Sequence, residues 1–329
     1  MAARPDLRST RPPSVWCAAL LIGLSCMHGA AALADTVRQA KPAAEASPEL
    51  RDRAVSILQS VLRSEQRWVK VHAAEYLLKL DHPRGVEEEF RRELALHGQE
   101  LQYRMGIWRV LARAAGEDKQ PAEWTGRIRR VFLDPAAPDR LHAMESLAKL
   151  GYRLPLAADR RTPRDAEDRP FLGEAAQPTA MGAFARWTLA HSGRVEGDAW
   201  LSELLGEADP VTRLAAAYAL RNLPAISPQA CQKLISAARR EPADSTAKVH
   251  LACAAAVHAA PADAAALRQP VVDYARTGTN LERYHACETL ARIGGTGDLP
   301  LLQPLMHHSD GDVRASAAYA VLRISQPDR

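Results

Sequence analysis

At three places in a recurring Ala- and Leu-rich segment a histidine stands three residues before a glutamate: His72 and Glu75, His142 and Glu145, His285 and Glu288. On a helix that spacing brings both side chains to one face. Imidazole and carboxylate so placed can form half of a metal site or pass a proton. The plainer alternative is a solvated helix face. There each glutamate pairs with the basic residue four positions on (Lys79, Lys149, Arg292), at about 0.2–0.5 kcal/mol a pair. The choice depends on the elements that carry these residues and on what lies beside them.

Those elements are copies of one unit. VKVHAAEYLLKL (69–80) recurs as YRMGIWRVLARA (103–114), DRLHAMESLAKL (139–150), TRLAAAYALRNL (212–223), AKVHLACAAAVH (247–258), ERYHACETLARI (282–293) and VRASAAYAVLRI (313–324). A degenerate copy, MGAFARWTLAHS, fits at 181–192. A basic residue opens seven copies, at Lys70, Arg104, Arg140, Arg213, Lys248, Arg283 and Arg314, and Gly182 takes its place in the fourth. These positions fall 31–42 residues apart, a period that suits a helix–turn–helix unit. Further apolar helical stretches precede seven copies, among them RAVSILQSVLR (53–63) and ACQKLISAARR (230–240). No stretch of any length alternates with period two, so the chain is expected to be all-α. Residues 151–180, rich in Pro, Arg and Asp, break the period. They read as an irregular, partly ordered loop along one edge, with a binding role.

The copies resemble HEAT-like (armadillo-like helical) repeats, especially the short bacterial type related to phycobilisome-lyase repeats. SDGDVRASAAYAVLRI (309–324) and ADPVTRLAAAYALRNL (208–223) carry the pattern best: a turn with Asp, a basic residue, alanine pairs, then Leu. The resemblance covers roughly 48–326. It implies a right-handed α-solenoid of about eight helix pairs whose second helices line the concave side. Repeats of this kind mostly bind or scaffold, so the resemblance implies no particular reaction.

Counting each second helix from its basic residue as zero, at 100° per residue, sorts the side chains into faces. Column +3 is Ala73, Ile107, Ala143, Ala185, Ala216, Leu251, Ala286 and Ala317; column +7 is Leu77, Leu111, Leu147, Leu189, Leu220, Ala255, Leu290 and Val321. These must be packed. Columns +2, +5 and +9 lie opposite and hold His72, Glu75, Arg109, His142, Glu145, Trp187, Tyr218, His250, His285, Glu288 and Tyr319. They are expected to form an exposed concave stripe. Trp187, Tyr218 and Tyr319, flat residues beside charges, suit peptide or sugar contacts.

Helices in such a stack lie about 8–10 Å apart, so His72 and His142, two repeats apart, are expected to be too distant to share an ion. His250 and His285 fall in neighbouring repeats and, with Glu288, form the one candidate metal cluster. His307-His308 with Asp310 and Asp312 reads instead as a helix cap paired with Arg314. There is no GxSxG, Walker-type glycine loop, dinucleotide fingerprint or HExxH. No catalytic residue and no cofactor are assigned.

At the N-terminus Arg4, Arg8 and Arg11 precede a short apolar run that ends Ala32-Leu33-Ala34. That pattern is a secretory signal peptide cleaved after Ala34. Its unbroken apolar part, Val15 to Met27, is too short for a stable membrane span. Losing residues 1–34 takes the net charge from +4 to +2. With no Lys/Arg run, this argues against nucleic acid. Cys231, Cys253 and Cys287 remain; the last two either pair across neighbouring repeats or stay as thiols packed among alanines.

The expectation is a periplasmic or secreted protein with a flexible linker over 35–47 and a repeat solenoid over 48–329. It uses its concave face to bind a protein or peptide, or a glycan. The alternative is an enzyme or enzyme accessory, of lyase or glycan-processing type, with 151–180 completing a site over His142, Glu145 and Trp187. A third expectation concerns the last repeat, which ends at Gln326–Arg329 without a polar capping helix and so invites a partner or a second copy.

Overall fold

The computed structural model describes residues 46–115, 121–194 and 196–326. The expected signal peptide and most of the expected linker lie outside these residues. The described residues hold sixteen α-helices and no strand, only one isolated bridge between Leu156 and Pro163. The helices form eight pairs: α1 (Pro48–Ser64) with α2 (Arg67–Lys79), α3 (Val86–His97) with α4 (Tyr103–Ala114), α5 (Pro121–Leu133) with α6 (Arg140–Lys149), and α7 (Arg169–Ala175) with α8 (Ala180–His191). Then come α9 (Gly197–Glu203) with α10 (Pro210–Asn222), α11 (Pro228–Arg240) with α12 (Lys248–Val257), α13 (Ala264–Thr277) with α14 (Asn280–Ile293), and α15 (Leu299–Leu305) with α16 (Gly311–Ile324). No described helix is long and apolar enough to cross a membrane.

Local chemistry fixes the helix starts. The Ser47 hydroxyl accepts from Leu50 N–H ahead of Pro48, and Asp209 accepts from Val211 and Thr212 N–H ahead of Pro210. Thr279 and Glu282 form a reciprocal capping box on α14. Each such cap satisfies helix-end donors that would otherwise be orphaned and is worth about 1 kcal/mol.

First and second helices are buried differently. In α1 only Ala54, Leu58, Val61 and Leu62 are buried, one stripe of a helix open to solvent. In α4 every residue from Met105 to Ala112 is buried, so that helix is covered on all sides. Every residue of the +3 and +7 columns is buried, as expected. Alanine at most +3 positions lets the second helices approach closely.

Neighbouring second helices touch in order from α2 to α16, and α16 then packs on α1 and α2. The pairs thus form a closed circuit, and the expected uncapped end does not exist: the last pair is covered by the first. The closing joint is built like the internal ones. At four internal joints the basic residue that opens a copy reaches an acceptor in the next repeat: Lys70 to Glu93 at 2.7 Å, Arg104 to Asp139 at 2.8 Å, Arg140 to Glu174 at 2.9 Å and Arg213 to Glu241, whereas Lys248 donates to the Ala238 and Glu241 carbonyls of its own pair. In the last repeat Arg314 reaches Glu65 of the first. It also donates to the carbonyls of His308 and Ser309, while Asp312 turns to His72. The expected pairing of Arg314 with its own aspartates is therefore replaced by a contact across the joint. At this joint Gly311 presses on α2, where an added Cβ would lie 2.7 Å from Val69 Cγ1. Gly182 is glycine for a similar reason, since a Cβ there would lie 2.1 Å from the Gln177 carbonyl oxygen.

Residues 151–180 are more regular than the sequence reading. Arg169-Pro170 opens α7, the first helix of the fourth pair, and Phe171 packs on Phe132 with ring centroids 4.4 Å apart. The irregular part shrinks to 151–165, where Asp159 caps the backbone N–H groups of Arg161 and Thr162.

Candidate functional site

The +2, +5 and +9 columns of the second helices turn toward the inside of the circuit. Side chains from helices that are not neighbours meet there. Arg221 of α10 donates to Glu288 of α14 at 2.9 Å, and the Tyr76 hydroxyl of α2 donates to the same carboxylate at 2.9 Å. Lys149 Nζ of α6 lies 5.2 Å from the Tyr218 ring of α10. Trp68 of α2 stacks on His142 of α6 with centroids 6.1 Å apart, passing over the bare Gly106 of the helix between them. These contacts cross the inside of the circuit, between repeats that are not neighbours in the chain.

The expected stripe is therefore only partly exposed. Trp187, Glu75, Arg109, His250 and His285 are buried, whereas His72, His142, Glu145, Tyr218, Glu288 and Tyr319 keep partial access. Closure is the reason, because an open concave face would leave them facing water. Trp187 is held between His191 and Tyr218, at centroid distances of 5.6 and 5.9 Å.

The three His-x-x-Glu pairs take three different paths. His72 Nδ1 lies 2.8 Å from Asp312 of α16, and its ring stacks on Tyr284 at 5.2 Å. His285 Nδ1 is 3.7 Å from Glu288, and its ring lies 4.2 Å from His250. His142 stacks on Trp68 instead of meeting Glu145. Of the expected Glu-to-Lys/Arg pairs, Glu145 with Lys149 forms, at 2.7 Å. Glu75 pairs with Arg109 and Arg113 of α4, the second helix of the next pair, at 2.5 and 2.8 Å.

The candidate metal cluster comes together in part. His250, His285 and Glu288 are neighbours, but Arg221 occupies the carboxylate, and among the described residues no three His, Cys, Asp or Glu side chains are arranged to hold an ion. Cys253 and Cys287 are buried, unpaired thiols. Burial pushes Cys287 up to about 12, which keeps it protonated and a poor nucleophile.

Electrostatics in the interior is set by pairing. Burial pushes Glu75 and Glu288 toward neutrality, but Arg109 and Arg113 around the first and Arg221 beside the second outweigh it, so both are held below the usual carboxylate range. Burial, then His285 and Arg221, pushes His250 well below the usual imidazole value. Two cations behave differently from the paired ones. Burial and Arg113 lower Lys79, and burial and Arg221 lower Arg292.

Sequence reasoning put Lys79, Arg113 and Arg292 on the stripe at +9 without assigning them to the site, and it left out Tyr76, Arg221 and Tyr284. Tyr284 at +1 and Arg221 at +8 fall near 100° and 80°, so the inward arc is wider than three columns. That signal was available in the count. The expected cover of 151–180 over His142 is not formed. Residues 154–164 fasten to the end of α8 and the turn after it: Leu154 N–H donates to Ser192, Arg160 to the Gly193 carbonyl, and Arg161 pairs with Glu196. Two open hollows of about 500 and 490 Å³ lie between α1 and α15 and between the α9 and α11 segments; neither contains a residue of the interior network.

No family model matches the sequence, and no curated protein matches it.

Proposed function

We propose that this chain is an exported, non-catalytic binding or scaffolding protein. In this reading it is a HEAT-like right-handed solenoid of eight helix pairs carried round until its ends meet, and it recognises its partner with the interior face. The single observation behind the reading is the convergence of charged and aromatic side chains from non-neighbouring helices on the inside of the circuit. Packing alone does not ask for this. Polar groups buried at a helix interface cost stability unless they are paired or used. Closure narrows the partner to a small molecule or to a protruding group of a protein or peptide; a glycan end also fits these terms.

An enzyme reading draws on the perturbed titratable groups His250, His285 and Glu288, which are of a kind found at active sites. Binding is preferred because Arg221 already neutralises Glu288 and both buried thiols, Cys253 and Cys287, are pushed up by burial.

The test is capture from periplasmic extract by the immobilised chain, with eluted small molecules and proteins both identified by mass spectrometry. Capture should be lost in Arg292→Glu and retained in Arg91→Glu, since Arg91 sits on the outer helix α3 in a local pair with Glu87. Capture that survives the first change and fails with the second would refute an interior site.

A further inference from the structure

The second helices run in parallel, so their C-terminal ends gather at one mouth of the interior. Position +9 there is Lys79, Arg113, Lys149, Arg292 or Arg323 in five of the eight copies. A structural account covers most of them. Cations near helix C-termini meet the negative end of the helix dipole and its free carbonyls. Arg113 donates to the Lys149 carbonyl at 2.7 Å, Arg292 donates to the Arg221 carbonyl, and Lys149 pairs with Glu145.

Lys79 does none of this. Among the described residues no carboxylate lies within ion-pair reach of its Nζ and no group accepts a hydrogen bond from it. Its ammonium stands 5.8 Å from the centroids of both Tyr76 and Tyr319, whose rings stack 4.4 Å apart. The Lys79 side chain keeps accessible surface, yet the protein around it still disfavours its charge. Arg323, Arg292 and Arg113 act electrostatically on Tyr319, against the single carboxylate of Glu288. The interior network sets Lys79, Arg109, Arg113, Lys149, Arg221 and Arg292 against Glu75, Glu145 and Glu288, an excess of positive charge with no carboxylate placed to absorb it. Arg109, a fully buried side chain, also leaves its Nη2 without a partner.

We propose that this mouth binds a small multivalent anion, bearing phosphate or carboxylate groups, which lies against Tyr319 and is held by Lys79 with Arg113 and Arg292. The inference rests on the interior being the binding face and adds the ligand class. A cation with no carboxylate partner, standing near other cations, is left for a multivalent anion to bridge. Guanidinium forks supply paired donors to either kind of oxyanion, and the ammonium supplies a point charge.

The purified chain is titrated with inorganic pyrophosphate and, separately, with citrate, against sodium chloride at matched ionic strength. Binding is read by calorimetry and by the shift in Tm. Saturable binding and a rise in Tm are expected with one or both probes and not with chloride. Pyrophosphate alone points to a phosphate ligand, citrate alone to a carboxylate one. Lys79→Gln should weaken binding about tenfold or more while leaving the ligand-free Tm unchanged or higher. Lys79→Arg, which keeps the charge, should retain most of the affinity and stands in if the glutamine variant folds poorly. No saturable binding of either probe, or unchanged binding by Lys79→Gln, overturns the proposal. If extract capture still follows Arg292 while both anions fail, only the ligand class falls and the interior site stands.

Discussion

Glu75 shows how a residue's role changed between sequence and structure. Its position four residues before Lys79 suggests a surface pair, yet it closes a buried cluster with Arg109 and Arg113. Removing one member of such a cluster leaves the other buried and unpaired, a cost of about 3–5 kcal/mol. His250 carries the clearest pH consequence at this scale. It is neutral in the folded chain because burial and its cationic neighbours depress its pKa. In the unfolded chain it takes a proton near pH 6.5. Below that pH the unfolded state binds more protons, so the folded state loses stability as pH falls from 6.5 and keeps it in full above. Urea unfolding at pH 7.5 and 5.5 should show a smaller loss of stability in His250→Gln than in the wild type. An equal loss in both would mean that His250 is already protonated in the fold.

At the scale of helices the closing joint is the informative one. α16 meets α2 through Gly311, which has no room for a methyl group beside Val69. Gly311→Ala should destabilise the chain by about 1–3 kcal/mol through overpacking, even though alanine favours a helix. Val69→Ala opens the space, so the double variant should recover part of that loss. A double-mutant cycle by chemical denaturation measures the coupling, and strict additivity would place the two residues out of contact. The seventh helix belongs to this scale too. It was illegible in sequence because Arg169–Ala175 spans only seven residues inside a Pro- and Arg-rich stretch. It is anchored by Phe171 against Phe132 and by Glu174 on Arg140, both contacts between repeats.

For the whole molecule, the joint from the last repeat to the first uses the same basic-residue contact as four internal joints, with Arg314 on Glu65 matching Arg213 on Glu241. If the joints are equivalent, the place where the chain begins matters little to the circuit. A circular permutant opened between α2 and α3, near Gly85, and joined from residue 326 to 46 by a short flexible linker should fold with one cooperative transition. Circular dichroism and thermal melting would check this. An unfolded or stepwise-melting permutant would show that the first and last repeats depend on their present connection. A closed circuit also leaves no free repeat end to template stacking, which linear arrays must cap.

The sequence by itself determined all the helices but the seventh, their pairing, the repeat period and the packed +3 and +7 faces. Those are local and periodic properties, written into each copy by alanine and leucine spacing. It also located most of the polar residues that now meet inside. What it left open was whether that polar face looks onto water or onto itself. That depends on the sum of small rotations from one repeat to the next, which no single copy encodes. Only the tertiary structure decided that eight such steps bring α16 onto α1 and α2, and so turned Glu75, Trp187 and His250 inward. Lys79 became the unpaired cation of that interior for the same reason: its partners are set by the circuit and not by its neighbours in sequence.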